Sequence, residues 1–238
     1  YQEGSNDPAV NFAQLTQRAG NFLVAREEMS DFKWEDLKGK KVLGGRKGGM
    51  PEMVFEYILR KNGIDPQKDL MIDQSIDFGS TAAAFTGDKS ADFTVEFEPS
   101  ATALEKEGAG YVVASLGVDS GYVPYTSYSA KTSYMEKHPK IIQQFTNALQ
   151  KGMEYVQRHT PEEIAEVIAP QFAETDLDTV TTIVKRYYEQ DTWKADLIFE
   201  KESFELLEDI LEDSGELNER VSYEDLVKTE YAAKAAEK

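Results

Sequence analysis

The 238-residue chain carries 44 acidic against 26 basic residues, a formal net charge of −18, with 40% hydrophobic residues and no cysteine. That apolar share supports real cores at a length suited to one large or two small domains. A surface this negative repels nucleic-acid phosphates and anionic headgroups, so neither nucleic acid nor the membrane surface is an expected partner.

The absence of cysteine excludes disulfides, thiolate zinc sites and cysteine nucleophiles. The two histidines, His138 and His159, stand beside expected helix starts and read as surface residues rather than a metal or acid–base pair. No cofactor is called for. No apolar run approaches the roughly 18 residues of a membrane helix, so this chain is not expected to insert into a bilayer. The opening Tyr1-Gln2-Glu3-Gly4-Ser5-Asn6 has neither an initiator Met nor a signal-peptide pattern, and reads as cut from something longer.

Residues 10–26 show β-formers and small polar residues without helical periodicity, as do residues 121–130, and the two segments are expected to run side by side as links. Between them, residues 41–116 alternate strand and helix. Lys41-Val42-Leu43 runs into the glycine loop Gly44-Gly45-Arg46-Lys47-Gly48-Gly49, and Pro51 opens a helix that Asn62-Gly63 closes. Leu70-Met71-Ile72, Asp92 to Phe97 and Tyr111-Val112-Val113 are further strands, with helices from about Ser80 and from Pro99. This order predicts a parallel sheet with helices on both faces, strands 41–44, 70–73 and 92–97 being neighbours.

Residues 131–238 read as helical. Thr132 or Ser133 is expected to cap one helix with a buried stripe of Ile142, Phe145, Leu149 and Val156. Thr160-Pro161-Glu162-Glu163 is a capping box, and Asp176 caps a helix bearing Val180, Ile183, Val184 and Tyr187. Ser203 to Ser214 is a further helix, ended by Gly215. The tail Ala232 to Lys238 is expected to fray.

Three features bear on function, each with a plainer alternative. Gly45, Arg46, Gly48 and Gly49 lie where a strand meets a helix start, a position from which backbone N–H groups can reach a ligand, or which serves simply as a tight turn. The spacing fits neither a dinucleotide fingerprint nor a phosphate-binding P-loop. Glu98, at a second strand-to-helix junction of the same sheet edge, can offer a carboxylate to a cleft or merely favour a helix start. Tyr122, Tyr125 and Trp193 can line an apolar wall or belong to a core, and Gln17 is expected to face the loop from the linking segment.

Asp36-Leu37-Lys38-Gly39-Lys40-Lys41-Val42, the glycine loop, Leu59-Arg60-Lys61-Asn62-Gly63-Ile64-Asp65, Ala82-Ala83-Ala84-Phe85-Thr86-Gly87, Ala91-Asp92 and Glu98-Pro99 follow one another in an order that resembles solute-binding proteins of ABC importers. The resemblance is closest to the NMT1/THI5-like group. It implies a two-lobed type II periplasmic-binding-protein fold, with residues 20–120 as a complete α/β lobe two, and 1–19 and 121–238 as hinge strands and remainder of lobe one. It also implies that lobe one is incomplete here, since such proteins carry about a lobe's worth of chain before the point matching Tyr1, and that the chain can self-associate through that lobe.

The implied function is extracytoplasmic capture of a small organic solute, heteroaromatic rather than a small inorganic anion, and delivery to an ABC permease without chemistry. The rivals are a THI5-like pyrimidine-synthesis enzyme, which the lack of cysteine disfavours, and an effector-binding domain of a transcription regulator. The expected solute site is Gln17, Gly45, Arg46, Gly48, Gly49, Glu98, Tyr122, Tyr125 and Trp193.

Overall fold

The computed structural model describes residues 5–237. Tyr1 to Gly4, at the start of the sequence reading, and Lys238, at the end of the expected tail, lie outside the described residues.

Strand β1 (Ala9–Thr16) leads to β2 (Asn21–Ala25), and a 3-10 turn (Trp34–Leu37) precedes β3 (Lys41–Leu43). Then α1 (Met50–Lys61), β4 (Met71–Asp73), α2 (Phe78–Gly87), β5 (Phe93–Phe97), α3 (Ser100–Lys106), β6 (Tyr111–Ser115) and α4 (Leu116–Ser120) follow. The five-stranded sheet has the order β4-β3-β5-β2-β6. The three expected neighbours β4, β3 and β5 pair in parallel.

The sheet is nonetheless mixed rather than parallel. β2 inserts between β5 and β6, antiparallel to both, so β6 never touches β5. The expected linking segment thus supplies a central strand. Its five residues are all buried, and a strand with apolar side chains on both faces is stable only inside a sheet covered on both sides. Phe22 and Val24 pack with Phe85 of α2 and Leu104 of α3, whereas Leu23 and Ala25 pack with Phe55 and Ile58 of α1.

β1 pairs antiparallel with β7 (Thr126–Lys131), so the links do run side by side as a two-stranded ribbon. Each crossing follows one rule: the strand made just after it pairs antiparallel with the strand made just before the other crossing, β2 with β6 and β7 with β1. The outer edge of β1 is occupied by distant chain: Gln14 N–H donates to Leu197 O and Gln17 N–H to Thr192 O, and Asn11 bridges Val227.

The remainder is helical. The helix expected from Thr132 is two, α5 (Thr132–Lys137) and α6 (Pro139–Arg158), because Pro139 has no N–H to continue the first. Then come α7 (Pro161–Ile168), α8 (Leu177–Glu189), α9 (Lys201–Asp213), α10 (Tyr223–Leu226) and α11 (Glu230–Ala236). The Thr160–Glu163 box closes reciprocally, and Asp176 accepts from Thr179 N–H at 2.9 Å.

Two expectations fail here. Phe145 is 42% exposed, since α6 turns Ile142, Thr146 and Gln150 inward, with Gln150 donating to Ala195 O. The tail does not fray up to Ala236: α11 buries Tyr231, Ala232 and Ala235 against α6 and β1.

Candidate functional site

A cavity of about 400 Å3 opens where strand ends of the five-stranded sheet meet the ribbon and α8. The sheet contributes Phe97 at the end of β5, Glu98 and Pro99 just after it, and Gly20 before β2. The ribbon contributes Thr16 and Thr126, and the chain flanking it Arg18 and Tyr125. The helical side contributes Ile168, Phe172, Ile183, Val184 and Tyr187, with Trp193 at the ribbon's edge. Strand ends are where open α/β sheets leave room for a ligand, because the covering helices diverge there.

The aromatic wall is fixed by hydrogen bonds behind it. Tyr125 hydroxyl donates to Asn21 Oδ1 at 3.0 Å, and Tyr187 hydroxyl to Gly20 O at 3.0 Å. Burial pushes the Tyr125 phenol well above its ordinary range. Burial and the nearby Glu98 carboxylate push Tyr187 up to about 12. Both rings therefore stay neutral. Trp193 stands edge-on to Tyr187 with centroids 6.2 Å apart, held by its bridge to Thr16.

The two charged groups lining the cavity both have partners within the chain, although Arg18 Nε is buried without one. Arg18 Nη1 donates to Gly117 O at 3.1 Å and Val118 O at 3.3 Å, and its guanidinium lies 3.8 Å over the Tyr122 ring. Glu98 accepts from Thr102 N–H and Thr102 Oγ1, both at 3.0 Å, and forms an ion pair with Arg186. The side chain of Glu98 is 2% exposed. What the cavity offers is an apolar, π-rich slot with one paired carboxylate and one guanidinium at its edge, suited to holding a flat organic body.

Of the sequence-derived residues, Glu98, Tyr125 and Trp193 meet at this cavity. Gln17 and Tyr122 line a different hollow, where Tyr122 hydroxyl donates to Asp191 Oδ2 at 2.8 Å and Gln17 Nε2 to Asp191 O at 3.2 Å.

The glycine loop does not line the cavity. Gly45 has φ +76°, and a Cβ there would land inside the Phe78 ring. Phe78 in turn packs edge-on against Phe97 with centroids 5.6 Å apart, so the loop supports the rim from behind. Gly48 N–H is taken by Glu52 Oε2 at 3.1 Å, leaving Arg46 and Gly49 beside an amide already satisfied from within the chain. Burial and neighbouring Glu56 push Glu52 up to about 7, and Gln74 donates to it at 2.6 Å.

Phe97, Phe172 and Ile168 line the cavity but were not among the expected site residues. Phe97 lay one position from Glu98 and carried a signal; Ile168 and Phe172 carried none that separates cavity from core.

This mixed sheet, with its antiparallel strand brought across a ribbon and its cavity at the strand ends, is the fold of periplasmic binding proteins. It matches the ligand binding component of an ABC-type import system from Staphylococcus aureus with a TM-score of 0.73 and 15% identity, over 98% of this chain and 76% of that one. It matches the periplasmic aliphatic sulphonate binding protein SsuA from Escherichia coli with a TM-score of 0.69 and 18% identity, over 92% and 72%. The chain belongs to the NMT1/THI5-like family, whose model matches residues 2–164. YtlA of Bacillus subtilis (strain 168), assigned as a binding protein, is 44% identical over 232 residues, 98% of this chain and 69% of YtlA.

Proposed function

We propose that the chain is the solute-binding component of an ABC importer, acting outside the cytoplasm and delivering a small heteroaromatic solute to a permease without altering it. The observation that carries this reading is the apolar slot of Tyr125, Phe97, Tyr187 and Trp193, in which Glu98 is paired within the protein and Arg18 is held over the Tyr122 ring. The Arg18 guanidinium gives Nη1 to two carbonyls and lies over a ring, its Nε is buried without a partner, and among the described residues the lining holds no second cationic side chain with which to grip a small inorganic anion. A flat, largely uncharged ring gains contact with every wall. Residues 20–120 act as one lobe, the described residues on either side, 5–19 and 121–237, as part of the other, and the β1–β7 ribbon as the hinge about which they close.

Trp193 supplies the test, because Trp34 is the other tryptophan of two. In a Trp34→Phe variant, Trp193 emission is titrated with pyrimidines, flavins, alkanesulfonates and nitrate. Saturable change with a ring-bearing class and none with nitrate is the expected result. A response to nitrate alone, or to no class, would overturn the reading.

A further inference from the structure

We infer that Arg186, which does not line the cavity, sets its charge selectivity by neutralising Glu98. The inference rests on the reading of this cavity as the solute site.

Glu98 is the acidic residue of the lining, and its side chain is almost wholly buried. A carboxylate has about four lone-pair positions. Three are filled: Thr102 N–H on Oε2, Thr102 Oγ1 and Arg186 Nη1 on Oε1. Thr102 supplies neutral donors, so the compensating charge comes from Arg186. Its guanidinium is fixed by a second carboxylate, Glu105, at 2.6 Å, and lies 5.3 Å over the Phe22 ring. An uncompensated carboxylate in this wall would be costly and would draw a cation from the solute side. With Arg186 in place, an organic ammonium finds no free negative partner and loses its hydration on entry. An uncharged ring loses little. The pair therefore admits neutral solutes and rejects cationic ones of the same shape. Arg186 reaches Glu98 from α8, across the seam with α3, so this neutralisation is complete only when the two sides of the cavity are together.

The test uses three probes of one shape at pH 7: benzyl alcohol, benzylammonium and benzoate, each read by Trp193 emission in the Trp34→Phe background. The parent is expected to bind the alcohol at least tenfold more tightly than the ammonium. Arg186→Met should shift that ratio at least tenfold toward the ammonium. The double variant Glu98→Gln, Arg186→Met should return it to the parent value.

Glu98→Gln alone keeps the shape and leaves Arg186 with Glu105, and should improve benzoate binding several-fold. It decides the matter if Arg186→Met does not fold. A parent that binds the alcohol while neither single variant moves its ratio overturns the inference and leaves the site standing. A parent that binds none of the three overturns the site, and the inference with it.

Discussion

Arg186 and Glu98, 88 positions apart, form an ion pair in which the carboxylate is 2% exposed and the guanidinium side chain 20%. On the same seam, Lys106 pairs with Asp176 at 3.3 Å, but with both side chains about half exposed or more. Burial should decide which of these holds α3 to α8. Glu98→Ala is expected to cost about 2–3 kcal/mol, since it leaves a partly buried guanidinium with one partner fewer. Lys106→Ala should cost less than about 1 kcal/mol. Urea midpoints at constant slope measure both. Equal losses would mean that desolvation is not what distinguishes the two pairs.

The glycine loop should matter for packing before it matters for recognition. Gly45→Ala places a side chain at φ +76° and drives a methyl group into Phe78. The expected loss is about 1–3 kcal/mol, seen as a lower melting temperature, with Trp193-reported solute affinity changed far less than by Tyr187→Ala. A loop that contacts the solute directly would instead lose affinity out of proportion to stability.

Stability should depend on pH through Glu96. This residue of β5 is buried, accepts from Thr94 Oγ1 at 2.6 Å, and is pushed up to about 7 by burial. Below about pH 4.5 both folded and unfolded forms hold the proton, and the contribution is complete. Between there and about 7 only the folded form holds it, so stability falls as pH rises, and the loss levels off above 7. Its size is on the order of 3 kcal/mol. Glu96→Gln should remove that part of the slope between pH 5 and 8 in denaturant titrations. A slope identical to the parent's would place the carboxylate's proton elsewhere.

The C-terminal helix is expected to be structural. Tyr231 is buried against the β1 and α6 core, and Gln143 Nε2 donates to its carbonyl at 2.9 Å. Tyr231→Ala should cost about 2–4 kcal/mol, and amides of α11 should exchange as slowly as those of α6. Rapid exchange over 230–236 in the parent would restore the frayed tail read from the sequence.

What the sequence made legible was local. The β3–α1–β4 and β5–α3 units announce themselves through Pro51, Asn62-Gly63 and Pro99, because starts and stops of helices are set by neighbouring residues. β2 was misplaced among links although Phe22-Leu23-Val24-Ala25 is a continuous apolar run, which is how a doubly covered strand reads. The order of strands was hidden because nothing near Asn21 records that Phe97 is its partner. The cavity was half legible: Glu98, Tyr125 and Trp193 were found as residue types out of place, whereas Tyr187 sat on a helix stripe indistinguishable from core. Gln17 and Tyr122 lie in the stretches that follow β1 and precede β7 and turn to Asp191 instead of the cavity.

The ribbon also imposes an order of events during synthesis. All strands of the five-stranded sheet lie between Asn21 and Ser115, so that half can close its ladder while the rest of the chain is still being made. β1 emerges before any of it, yet its partners are β7, the Thr192–Leu197 stretch and Val227. The hydrogen bond from Asn11 Nδ2 to Leu226 O spans 215 positions. Of the strands described here, the first in the chain is thus the last to have both edges covered. Until residues 126–227 have been made, its backbone N–H and C=O groups lack these partners, which makes residues 9–16 the stretch where a nascent copy needs shielding.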